Sequence, residues 1–128
     1  MEYIIPKGTL EKERIVLEDS DRARELYDKG KFGTVTERKV QLSFMEASYL
    51  IEKEKVKVTK GKNKEITSND IIKIAQKREP RFWTKYCVFR DLRDRGYIVK
   101  TALKFGADFR VYDRGVKPGE DHAKWVVF

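Results

Sequence analysis

The stretch from Arg81 to Arg95 constrains this chain more than any other. Pro80 stands in front of it and Gly96 behind it, a breaker and a left-handed stop that bracket one helix. Phe82, Tyr86 and Phe89 fall on one stripe, and Trp83, Cys87, Val88 and Leu92 widen it. A helix with so broad an apolar side is expected to be largely buried. Asp91 and Arg95 stand four residues apart with the acid first, the favourable order for an ion pair. Short β-type runs follow at 97–101, about 107–112 and 123–128, joined by loops at 102–106 and 113–121. A helix that needs covering is thus followed by strands that can cover it. We place a domain boundary at Pro80, giving residues 1–80 and 81–128.

The first of these parts mixes helix and strand. Residues 9–17 read as a strand after a turn at Pro6-Lys7-Gly8. Residues 20–29 read as a short charged helix, capped by Ser20 or Asp19 and stopped at Gly30. Gly33 sits in a turn, and 39–42 is a short strand. Ser43-Phe44-Met45-Glu46 is a capping box, which marks a helix start rather than chemistry; that helix runs to about Lys53. Residues 55–59 alternate as a half-buried strand should, and Gly61-Lys62-Asn63-Lys64 is a polar turn. Residues 68–78 form another helix, capped by Ser68 or Asn69. There is no internal repeat. The element order predicts an α/β (α+β) fold in two small units.

Composition removes several function classes. The chain has 128 residues, one cysteine (Cys87) and one histidine (His122), so a disulfide, a cysteine zinc cluster and a multi-histidine metal site cannot be built within it. No apolar run is long enough to cross a membrane, and the first residues lack the basic start of a secretory signal; a reducing cytoplasm is the expected compartment. The formal net charge is +8, and the last 48 residues hold 11 of the 29 basic groups against 6 of the 21 acidic ones. A polyanion would bind such a surface through phosphate contacts, although a solvated rim of charge is the ordinary use of lysine.

The last thirty residues carry the candidate chemistry. On a strand over 107–112, Ala107, Phe109 and Val111 share one face, and Asp108, Arg110 and Tyr112 the other. Tyr112 is therefore expected on the polar face, at the strand's end. His122 follows ten residues later, at the start of the next strand, and a hairpin-like return brings it toward Tyr112; Lys124 can point the same way. Tyrosine, histidine and a cation suit metal-free RNA cleavage. The ribose 2′-OH loses a proton, the leaving 5′ oxygen gains one, and the phosphorane between them needs positive charge. Histidine titrates near neutrality and serves in either proton role, whereas tyrosine needs neighbouring cations to act as a base. The products are a 2′,3′-cyclic phosphate and a 5′-hydroxyl, and DNA resists this route. Lys104, Arg110, Arg114, Lys117 and Lys124 are the candidate RNA contacts. A metal-dependent nuclease would need clustered carboxylates, and Glu120-Asp121-His122-Ala123-Lys124 has the wrong spacing for one. No metal or other cofactor is expected.

The run Tyr86-Cys87-Val88-Phe89-Arg90-Asp91-Leu92-Arg93-Asp94-Arg95-Gly96-Tyr97-Ile98-Val99-Lys100-Thr101 resembles the hallmark of archaeal tRNA-splicing endonucleases. So does Leu103-Lys104-Phe105-Gly106-Ala107-Asp108-Phe109-Arg110-Val111-Tyr112-Asp113-Arg114-Gly115, followed by His122. Looser agreement through Gly33-Thr34-Val35 and 42–50 extends the likeness to most of the chain from about residue 30 onward. The resemblance implies an N-terminal mixed α/β domain and a C-terminal nuclease domain with a mixed sheet. It implies metal-free cleavage of precursor tRNA at the bulge-helix-bulge element. Within the family's Tyr/His/Lys triad, Tyr112 matches the base for the 2′-OH and His122 the acid for the leaving oxygen.

The family's lysine lies several dozen residues beyond the histidine, and no position up to Phe128 matches it; Lys124 is not that lysine by position. We therefore expect a truncated or split catalytic-type subunit. Its partners would be precursor tRNA and other endonuclease subunits, either copies of itself or a chain supplying the missing C-terminal segment. A strand at 123–128 would leave an edge open for such pairing. The alternative is a non-catalytic structural or RNA-binding subunit of the same assembly; retention of both Tyr112 and His122 favours the catalytic type.

Overall fold

The computed structural model describes residues 5–62, 64–101, 109–113 and 125–127. It divides into two compact units, Met1–Phe82 and Trp83–Phe128.

Charged residues hide the first turn of the chain. The single strand expected over 9–17 is a hairpin, β1 (Lys7–Glu11) and β2 (Arg14–Leu17), turning at Lys12-Glu13 with Lys12 at φ 33°. Ser20 caps α1 (Asp21–Asp28) by accepting from the Ala23 N–H. The stop differs from the expectation: Lys31, not Gly30, takes the left-handed conformation, at φ 57°. A second hairpin follows, β3 (Thr34–Thr36) and β4 (Lys39–Leu42), through Glu37 and Arg38, both at positive φ. Then come α2 (Phe44–Glu52), β5 (Lys57–Lys60), β6 (Lys64–Ile66) and α3 (Ser68–Arg78). The cap of α3 is Thr67, one residue before the expected start; it forms a capping box with Asp70.

These strands form a six-stranded sheet in the order β3-β4-β2-β1-β5-β6. β1 and β5 run parallel and the other neighbours antiparallel, so the sheet is mixed. Ile15, Leu17, Val40, Leu42, Val58 and Ile66 are buried from the sheet, and Ala47, Leu50, Ile71 and Ala75 from the helices. Their register partners alternate with exposed or half-buried Thr9, Val16, Gln41, Thr59 and Glu65, as a sheet with one solvated face requires.

Glu46 ties this unit together locally. Ser43 Oγ accepts from the Glu46 N–H at 3.1 Å, and Glu46 Oε1 accepts from the Ser43 N–H at 3.2 Å. Glu46 Oε2 accepts from the Gly33 N–H at 2.6 Å, thirteen residues away. Gly33 sits at φ 73°, and a Cβ there would lie 2.4 Å from the Gln41 carbonyl oxygen. The carboxylate thus caps α2 and pins the entry to β3 at once.

The second unit holds most of α4 (Phe82–Asp94), then β7 (Ile98–Thr101), β8 (Phe109–Tyr112) and β9 (Trp125–Val127). Gly96, at φ 92°, ends the helix as expected. The three strands form an antiparallel ladder with β8 in the middle. α4 is less buried than its composition predicts. Phe82, Tyr86, Phe89 and Arg93 are buried, but Trp83 is 47% and Val88 38% exposed, and Cys87 and Leu92 are half-buried. A helix laid on one sheet buries one row at i, i+4, i+7 and i+11, however many apolar residues flank that row. No helix among the described residues is long and apolar enough to cross a membrane.

Candidate active site

Tyr112 owes its position to three pieces of local structure. The α4 stripe brings Phe89 against Phe109, with ring centroids 6.2 Å apart, which sets β8 under the helix. Phe109 and Val111 are buried on that side. By the pleat of the strand, Arg110 and Tyr112 occupy the opposite side. The β7–β8 register then places Ile98 opposite Tyr112 and Lys100 opposite Arg110. Tyr112 is the last residue of β8, the end expected from the run 107–112.

The expected polar character of this side is not observed. Tyr112 is 3% and Ile98 4% exposed, while Arg110 and Lys100 are half-buried. One phenol ring and one aliphatic side chain therefore share the face with two cations. Alternation alone assigned Tyr112 to the side of Asp108 and Arg110, and it cannot tell a solvated face from a second covered one.

Lys100 was not among the residues singled out from sequence. Its signal is the register: Lys100, two residues after Ile98, stands across from Arg110, two residues before Tyr112. The Arg93 guanidinium carries no sequence signal of its burial either. It lies 5.8 Å from the Phe89 ring centroid on the buried row of α4, in the helix's last turn, where a cation meets the negative end of the dipole. Arg90 stacks over Trp83 and Tyr86 at 5.6 and 5.5 Å. The favourable Asp91–Arg95 pair forms at 3.2 Å, on the exposed side.

His122, Lys104, Arg114, Lys117 and Lys124 lie outside the described residues. β9 begins three residues after His122, and Trp125 is the register partner of Val111. The strand that His122 precedes is thus hydrogen-bonded to the strand that Tyr112 ends. Among the described residues, no group of three or more His, Cys, Asp and Glu side chains is placed to hold a metal ion.

The chain is thus a small mixed α/β unit and a second unit in which a helix is followed by an antiparallel ladder whose middle strand ends on Tyr112, and comparison with known proteins identifies that arrangement. Residues 6–72 match the tRNA intron endonuclease N-terminal domain. Residues 82–128 match the tRNA intron endonuclease catalytic C-terminal domain. The chain belongs to the tRNA intron endonuclease family.

It is 42% identical over 116 residues to the tRNA-splicing endonuclease of Thermococcus gammatolerans, covering 91% of this chain and 67% of that protein. It is 44% identical over 116 residues to that of Thermococcus kodakarensis, with the same coverage. It is 40% identical over 121 residues to that of Methanothermobacter thermautotrophicus, covering 94% of this chain and 69% of the relative. The chain thus spans about two thirds of the length of these archaeal relatives.

Proposed function

We propose that this chain is a catalytic-type subunit of a cytoplasmic endonuclease that cuts precursor tRNA at bulge-helix-bulge splice sites without a metal. The observation that carries the proposal is the match of residues 82–128 to the family's catalytic domain, combined with a β8 strand that ends on Tyr112. Tyr112 takes the proton of the ribose 2′-OH. The 2′ oxygen attacks the adjacent phosphorus, the bond from phosphorus to the 5′ oxygen breaks, and His122 gives that oxygen its proton. Arg110 and Lys100 are the described cations on the Tyr112 side of the ladder. Lys104, Arg114, Lys117 and Lys124 complete the phosphate contacts. No lysine among residues 1–128 matches the family's stabilising lysine by position. Residues 1–80 and 81–128 are its two functional domains.

The 3% exposure of Tyr112 favours a second reading, a structural or RNA-binding subunit whose tyrosine only packs. Chemistry separates the two. The native protein, with any chain that co-purifies, should cut an intron-containing precursor tRNA in EDTA and leave 2′,3′-cyclic phosphate ends. A substrate with 2′-deoxyribose at the scissile site should stay intact, and His122→Ala should slow cleavage by about 10²–10⁴-fold. Cleavage of the deoxy substrate, or full speed in the His122 variant, would remove the proposal.

A further inference from the structure

Lysines crowd the tip of the β5–β6 hairpin. Lys60 and Lys64 are register partners, directly opposite one another, and Lys62 stands in the turn between them. All three are exposed. At the other end of β5, Lys57 is the register partner of Lys7 on β1, and both are exposed as well. Like charges directly opposite across a ladder destabilise it, so the sheet carries two repulsive rungs on one strand.

The surroundings do not neutralise this charge. Among the described residues, Lys57, Lys60, Lys62 and Lys64 make no ion pair within 4 Å. Asp70 at the start of α3 is the acid that feels Lys64 and Lys73. Its carboxylate is already committed to the Thr67 N–H at 2.9 Å. Val58 and Ile66, the apolar residues of the hairpin, are buried, so its tip offers no apolar anchor for a protein partner. Exposed cations without a hydrophobic centre suit a phosphate backbone, which is held by charge and position rather than by sequence.

We infer that Lys60, Lys62 and Lys64 at the β5–β6 tip form a phosphate-backbone contact through which the N-terminal unit grips the RNA substrate. This deepens the proposed function and rests on precursor tRNA being what the protein binds. The contact serves binding, and the proton transfers of cleavage do not involve it.

The test measures binding of the intact protein, with any co-purifying chain, to an in vitro transcribed intron-containing precursor tRNA over a salt series. The triple variant K60Q/K62Q/K64Q should flatten the slope of log K against log salt by roughly 2. Its Kd should rise roughly tenfold or more at low salt. The cleavage rate at saturating enzyme should not change. A control variant, K12Q/K29Q/K39Q, loses the same charge elsewhere on the unit and should change the slope by less than about 1. Lys64→Glu should turn the Lys60 rung attractive, raising the unfolding temperature while weakening binding. A hairpin variant indistinguishable from the wild type or from the control would overturn this contact alone. A wild type that does not bind the RNA at all would overturn both this contact and the proposed substrate.

Discussion

Replacing Glu46 by alanine should cost more than any other single change at a charged residue of the N-terminal unit. The carboxylate is 8% exposed and serves two backbone donors, the Ser43 N–H at the start of α2 and the Gly33 N–H before β3. Losing the capping-box half costs about 1 kcal/mol. Leaving the buried Gly33 N–H without this acceptor costs about 1–3 kcal/mol more. Gly33 has little room to relax, because its left-handed turn already approaches the Gln41 carbonyl. The sum is about 3 kcal/mol, which for a unit of this size lowers the unfolding midpoint by roughly 12–24 °C. Glu46→Gln keeps one acceptor oxygen and should lose about half as much. Thermal unfolding followed by circular dichroism reads the total, and hydrogen exchange at the Gly33 amide reads the latch itself. An alanine variant within about 1 kcal/mol of wild type, with the Gly33 amide still protected, would refute the double role.

Two further changes follow from the same unit. Ser48 is fully buried in α2 and its hydroxyl makes no hydrogen bond among the described residues, so Ser48→Ala should raise stability by about 1 kcal/mol in a denaturant titration. The Asp70 carboxyl is held below the usual carboxylate range, first by its hydrogen bonds with Thr67 and then by Lys73 and Lys64. A depressed folded-state value means that its contribution is complete above the unfolded-chain value and fades as pH falls through the folded one. The stability gap between wild type and Asp70→Asn should therefore be widest near neutrality and close on acidification; a gap that widens in acid would contradict that assignment.

How much of the structure was legible depended on whether a residue's local chemistry announced its role. Ser20 and Ser43 announce helix starts because a short hydroxyl side chain satisfies an orphan N–H, and both caps formed. Gly96 announced the end of α4 for the same kind of reason. The hairpin turns gave no such signal. Lys12, Glu37 and Arg38 take positive φ where asparagine or glycine would be the usual mark, so β1 and β2 read as one strand and β3 was not seen. β6 was concealed by Lys64 and Glu65, polar residues at the end of a short edge strand. The faces of α4 and β8 were fixed by packing. Composition made α4 look apolar nearly all round, and only its neighbours decide that Trp83 stays out while Arg93 goes in. Alternation placed Tyr112 beside Arg110, and its burial depends on what covers that side.

The most direct measurement is single-turnover cleavage of precursor tRNA by Tyr112→Phe. Phenylalanine keeps the ring of this 3%-exposed residue, so the unfolding free energy should stay within about 1 kcal/mol of wild type. In the proposed mechanism the phenolic oxygen is the base for the 2′-OH, so its removal should lower the rate by about 10²–10⁴-fold. A folded phenylalanine variant that cuts as fast as wild type would mean that Tyr112 only packs, and the catalytic assignment of this chain would be wrong.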